Sequence, residues 1–168
     1  MDLIIRDETL NDAPAIREVN NQAFGQPLEG RLVELLRNND VVILSLVAVV
    51  DELITGHILF SPVTLTTEMG EVPGAGLGPM AVLPEFQRSG IGSKLITTGI
   101  ARMRQMGTTF VVVLGHADYY PRFGFERASG YGVRCQWEVP DDAFMIMPLT
   151  DRALPGLVRY RAEFKTVA

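Results

Sequence analysis

The passage that most restricts the fold is residues 75–114. Residues 75–83 read as an apolar strand and residues 84–89 as a loop opened by Pro84. Over residues 90–106, Leu95, Ile96, Gly99, Ile100 and Met103 then recur at helical spacing and form one core-facing stripe. Gly107 suits a left-handed helix stop, and residues 109–114 are almost wholly apolar, the pattern of a central strand covered on both faces. Strand, loop, helix and buried strand in this order call for a sheet with helical cover. Pro79 cannot donate to a sheet ladder, so a bulge or a parting of the sheet is expected beside Gly78.

The flanking segments extend this pattern. Asn11 or Asp12 can cap a first helix with Pro14 in its first turn and Ile16, Val19 and Ala23 on one face. A second helix is expected over residues 29–37, with Leu28, Leu32, Leu35 and Leu36 together. Residues 41–50, 53–61 and 63–67 read as three strands of an antiparallel meander. After a turn at Gly115, His116 and Ala117 come a short helix over residues 118–123, strands over 125–128, 134–138 and 144–149, and a last strand over 157–164. The 168 residues suit one domain, with residues 150–168 an extension packed on it.

Composition narrows the partners. The formal net charge is -5, and no run of Lys or Arg exceeds two, which argues against nucleic acid and anionic membranes and mildly favours cationic ligands. No apolar run is long enough to span a bilayer, and Cys135 is the single cysteine, so a reducing, cytoplasmic setting is expected. Two histidines and one cysteine without ligand spacing give no reason to expect a metal.

The chemistry concentrates in Gln87-Arg88-Ser89-Gly90-Ile91-Gly92-Ser93. A helix start leaves amide N–H groups unpaired and carries partial positive charge, so it can hold a pyrophosphate without a basic cluster. Gly90 and Gly92 remove side chains where phosphate oxygens must come close. The glycines alone fit a ligand-free tight turn equally well. Walker A spacing is absent, and the dinucleotide fingerprint fails because Leu95 stands where its third glycine belongs.

Taken whole, Gln87-Arg88-Ser89-Gly90-Ile91-Gly92 resembles the acetyl-CoA motif of the GNAT superfamily of N-acetyltransferases, Gln/Arg-x-x-Gly-x-Gly/Ala. Downstream, Tyr120-Pro121-Arg122-Phe123-Gly124-Phe125 is similar to that family's Tyr-x-x-x-Gly-Phe segment. The resemblance, closest to a bacterial branch of predicted acetyltransferases, implies a single-domain α/β fold whose mixed, twisted sheet is parted at the acyl-CoA site and flanked by helices. It implies that backbone groups of Met80, Ala81 and Val82 meet the pantetheine arm of acetyl-CoA, that Gln87, Arg88, Ser89, Gly90, Ile91, Gly92 and Ser93 surround the pyrophosphate, and that Phe123 packs against the cofactor. Tyr120 takes the position of the tyrosine near the sulfur, where a hydroxyl can assist the departing thiolate. Tyr119 sits one residue early for that role.

The proton acceptor is less plainly marked. His116 lies near the expected opening of the sheet and belongs to a residue type that titrates near neutrality, whereas a turn histidine bonded to backbone or solvent is an equal alternative. Glu29, Glu68, Glu85 and Asp118 are candidate carboxylates, and Glu29 is favoured because the family's helix-to-helix loop borders the acceptor. His57 and Cys135 read as structural, while Met145 and Met147 can fill the core or border a substrate pocket. The reading is transfer of acetyl to a primary amine of a small molecule or peptide by direct attack in a ternary complex. The alternative is a noncatalytic acyl-CoA-sensing or partner-binding module. A homodimer is compatible with either.

Overall fold

In a computed structural model of the chain, residues 2–152 and 154–167 are described. The first strand, β1 (Leu3–Asp7), is followed by helices α1 (Ala13–Phe24) and α2 (Leu28–Asn38). Asp12 is the residue before α1, but its carboxylate does not cap the helix. It turns back to accept from the Thr9 amide (2.6 Å) and Arg6 (2.7 Å), and the guanidinium holds its pKa down to about 2. Gly25, at φ 68°, ends α1 by donating to the Asn21 carbonyl (2.9 Å). On α2 the buried arc is Gly30, Leu32, Val33 and Leu36, and Leu35 is 38% exposed. Leu35 therefore departs from the expected stripe, because Val33 completes the arc on the other side.

Strands β2 (Leu44–Val50), β3 (Leu53–Thr67) and β4 (Gly70–Val82) form the expected antiparallel meander, with two corrections. The separate strands expected at 53–61 and 63–67 are one strand, and β4 begins at Gly70 rather than residue 75. Pro62 is tolerated within β3 because of where its nitrogen points. The Phe60 carbonyl accepts from Ile43 (2.9 Å), so Pro62, two residues on, faces the same side. There β2 has ended opposite Phe60, and β9 (Gly156–Tyr160) begins only opposite Val63. The missing donor falls in that gap.

After β4 the chain forms α3 (Ile91–Gln105), then β5 (Phe110–Leu114), β6 (Glu126–Arg127), β7 (Val133–Cys135), β8 (Phe144–Pro148) and β9. Sheet order is β1-β2-β3-β4-β5-β8-β6, with β9 joining β3 to β7. The pairings β4·β5 and β7·β9 are parallel, and the others are antiparallel, which makes the sheet mixed. The expected helix at 118–123 is a 3-10 turn (Tyr120–Phe123). The last strand stops at Tyr160, after which a 3-10 turn (Ala162–Thr166) brings Phe164 into the core.

Each face of the sheet carries its own core. On one, Leu95, Ile96, Ile100 and Met103 of α3 meet Ile58, Phe60, Val111 and Val113, with Gly99 leaving space for the Phe60 ring. On the other, Ile16, Leu32, Val33 and Leu36 of α1 and α2 meet Val47, Leu59 and Phe164. Burial of each such aliphatic or aromatic side chain stabilises by about 1.5–3 kcal/mol before conformational entropy is counted. β5 is buried on both faces through Val113, as its apolar run requires. Among the described residues, no helix is long and apolar enough to cross a membrane.

The parting of the sheet lies beside Gly78. β4 and β5 pair only as Ala75, Gly76 and Leu77 against Val111, Val112 and Val113, while the β3·β4 register shifts opposite Gly78-Pro79. Beyond Leu77 the two central strands diverge.

Candidate active site

The loop between β4 and α3 is tied to the strand it leaves. Leu83 donates to the Thr55 carbonyl (2.8 Å), and the Gln87 side chain donates back to the Val82 carbonyl (3.0 Å). Arg88 (φ 62°) and Gly90 (φ 87°) both adopt left-handed backbone, which for a residue with a β-carbon costs roughly 1–2 kcal/mol. Gly90 gives α3 no side-chain cap. Lys94 is the first amide to bond, to the Gly90 carbonyl (3.0 Å), and the amides of Ile91, Gly92 and Ser93 meet no acceptor among the described residues. Such a helix start suits an anion.

This helix start faces a cavity of about 1200 Å³ that passes through the parting. On the α3 side it is lined by Met80, Val82, Gln87, Arg88, Gly90, Gly92 and Ser93, and the buried Ala81 lines it from the α1 side. Tyr119, Tyr120 and His116 stand at the parting, and Phe24, Glu29, Trp137, Tyr160 and Phe164 continue the wall on the α1–α2 side. Three expected cofactor residues do not line it. The Ile91 side chain belongs to the core, the Ser89 hydroxyl bonds the Phe86 carbonyl, and Phe123 stacks edge-on against Tyr119 at 5.3 Å. Phe123 thus supports a wall residue instead of forming the wall.

The two tyrosines have different settings. Tyr120 is 8% exposed, its ring occupies space left open at Gly115, and burial, reinforced by Tyr119, pushes its pKa up to about 12. At neutral pH it holds its proton and can donate. The Tyr119 hydroxyl instead lies against Gly92, and the Arg122 guanidinium sits 4.6 Å from the centre of the Tyr119 ring. His116 builds this corner through its backbone: its carbonyl accepts from Tyr119 (3.1 Å) and Tyr120 (3.4 Å), leaving an exposed ring at the cavity.

Among the carboxylates, Glu29 lines the cavity and accepts from Gln26 (3.0 and 3.1 Å). Glu68, Glu85 and Asp118 are exposed and lie outside it, and Met145 and Met147 are core residues that do not reach it. His57 is fully buried and also lies outside the cavity. Its ring nitrogens are 2.9 Å from the Ser45 hydroxyl and 3.4 Å from the Asn20 amide, and Ser45 bonds Glu8, which pairs with Arg37 (2.8 Å). Because Ser45 donates to Glu8, it accepts from His57 Nε2–H, and Nδ1 accepts from Asn20. Burial pushes the His57 pKa down to about 4, so the ring is neutral.

Among the cavity residues that sequence reasoning did not nominate are Phe24, Trp137, Glu138, Tyr160 and Phe164. The available signal was aromatic: the single tryptophan and the pair Tyr160 and Phe164 all fall within the last 32 residues. No group of His, Cys, Asp and Glu among the described residues is arranged to hold a metal.

Residues 5–128 match the model of the acetyltransferase (GNAT) domain. An uncharacterized N-acetyltransferase of Escherichia coli K12, YjhQ, is 42% identical over 157 residues, covering 89% of this chain and 87% of that protein. A crystal structure of the E. coli GNAT family N-acetyltransferase YhbS in complex with CoA superposes with a TM-score of 0.92 at 34% identity, covering 99% of this chain and 93% of that one. A GNAT family acetyltransferase from Brucella melitensis in complex with acetyl-CoA gives 0.83 at 37% identity, covering 97% and 98%.

Proposed function

Because the chain belongs to the GNAT acetyltransferase family, we propose that it transfers acetyl from acetyl-CoA to a primary amine by direct attack in a ternary complex. The observation that carries this reading is the uncapped start of α3, whose amides at Ile91, Gly92 and Ser93 find no acceptor among the described residues and whose approach is lined by Arg88. These donors suit the pyrophosphate of acetyl-CoA. The exposed backbone of Met80 and Val82, where β4 has left β5, suits an extended pantetheine arm, and CoA or acetyl-CoA occupies the YhbS and Brucella relatives.

Acetyl-CoA supplies the activated acyl group. The acceptor nitrogen bonds to the thioester carbonyl carbon, the carbon–sulfur bond breaks, and the electron pair stays on sulfur. Tyr120 serves here as a hydrogen-bond donor to sulfur. Full proton transfer from a hydroxyl near 12 to a thiolate of ordinary basicity, about 8.5, would be uphill by roughly 5 kcal/mol. His116, exposed at the cavity, receives the proton lost by the amine, directly or through water, and the thiol is protonated in turn.

Calorimetric titration with acetyl-CoA, followed by measurement of CoA release over an amine panel, tests the reading. Binding with amine-dependent release supports it. Binding without release for any amine identifies a noncatalytic acyl-CoA-binding module, and absence of binding overturns both.

A further inference from the structure

The half of the cavity on the α1–α2 side has a chemistry of its own. Trp137 and Tyr160 stack with ring centres 5.0 Å apart and planes 30° apart, and Phe164 lies 5.2 Å beyond Tyr160. The stack is held by β7 and β9. Gln136 accepts from the Tyr160 amide, and the Tyr160 ring lies over Gly76, next to the point where β4 leaves β5. The Tyr160 side chain lines the cavity, while its hydroxyl is sealed from solvent.

Charge is sorted along the same cavity. Arg88 and Arg122 belong to the α3 side and the Tyr119 corner. The carboxylates that line the cavity are Glu29, at the start of α2, and Glu138, directly after Trp137. An aromatic wall beside two carboxylates attracts a cation with an apolar body and repels a carboxylate.

Resting on the acetyltransferase reading above, we infer that the acceptor is an amine on a ring-sized apolar body without a carboxylate. An arylalkylamine has this chemistry. An amino acid carries one anionic group too many, and an aliphatic polyamine lacks the ring.

The probes are phenethylamine, phenylalanine and spermidine, tested with the full chain and acetyl-CoA. The expected kcat/KM for phenethylamine exceeds that for phenylalanine and spermidine by about tenfold or more. Trp137→Ala lowers the phenethylamine value by about tenfold with unchanged acetyl-CoA affinity. Glu29→Gln with Glu138→Gln narrows the gap between phenethylamine and phenylalanine. Equal use of phenylalanine, preference for spermidine, or indifference to Trp137→Ala would overturn the inference. Direct titration of phenethylamine separates the two readings. If phenethylamine binds and acetyl-CoA does not, the acetyltransferase reading falls and this pocket stands; if acetyl-CoA binds with no preference among the amines, this inference falls alone.

Discussion

The Tyr119 hydroxyl rests against Gly92, 2.9 Å from the position a β-carbon would occupy there. The first turn of α3 and the corner after β5 are therefore in contact at Gly92, across the mouth of the cavity. Gly92→Ala should displace the tyrosine across the helix start and weaken acetyl-CoA binding by about tenfold, read by calorimetry. Tyr119→Phe in the same chain removes the atom that is displaced and should restore most of the affinity. If the double variant binds no better than Gly92→Ala, this contact is not the cause.

Tyr120→Phe should lower kcat by about 10- to 100-fold and change acetyl-CoA affinity little, since a hydrogen bond to sulfur strengthens only as negative charge develops. The ring packing on Gly115 and Phe125 is retained, so the fold should persist. Comparable losses in Tyr119→Phe would remove the distinction between the two hydroxyls.

For His116→Ala, the expectation is lost turnover with intact acetyl-CoA binding, because the histidine holds its corner through its backbone carbonyl. Turnover should be followed against pH with two acceptors whose amine basicities differ. An acidic limb that tracks the acceptor and persists in the variant assigns proton removal elsewhere, with Glu29 the cavity carboxylate next in line.

The buried His57 makes stability depend on acidity. Its folded pKa of about 4 lies below the ordinary value of 6.5, so between these values the unfolded chain binds the extra proton and the folded chain does not. Stability is full above about pH 6.5 and falls as pH drops towards 4, by an amount on the order of 1–3 kcal/mol. Asp12, with a folded pKa of about 2, adds a loss at lower pH as its carboxylate is protonated. Urea unfolding at pH 7 and pH 5 should show the difference, and His57→Gln should reduce it. An undiminished difference in the variant would place the titration on another group.

The α3 side of the cavity was legible because its information is local. Gly90, Gly92 and the loop from Gln87 stand in one continuous run, and Pro79 marks the parting of the strands by its missing donor. The α1–α2 side was not legible in the same way. Trp137, Tyr160 and Phe164 meet only because β7 lies parallel to β9 and β9 continues the row begun by β2 along β3. That row was itself misjudged, since Pro62 reads as a terminator until the gap between β2 and β9 is known. Phe123 stands behind the wall for a related reason: adjacency to Tyr120 in sequence does not decide which ring faces the cavity.

The handover along β3 also bears on solubility. Leu157, Val158, Arg159 and Tyr160 cover the residues Val63, Thr64, Leu65 and Thr66 on the side where β2 no longer reaches. A chain cut before Gly156 would leave this row of amides and carbonyls as an open sheet edge, rich in branched side chains and ready to recruit a strand from another molecule. The final strand thus guards the protein against self-association, a task independent of any ligand.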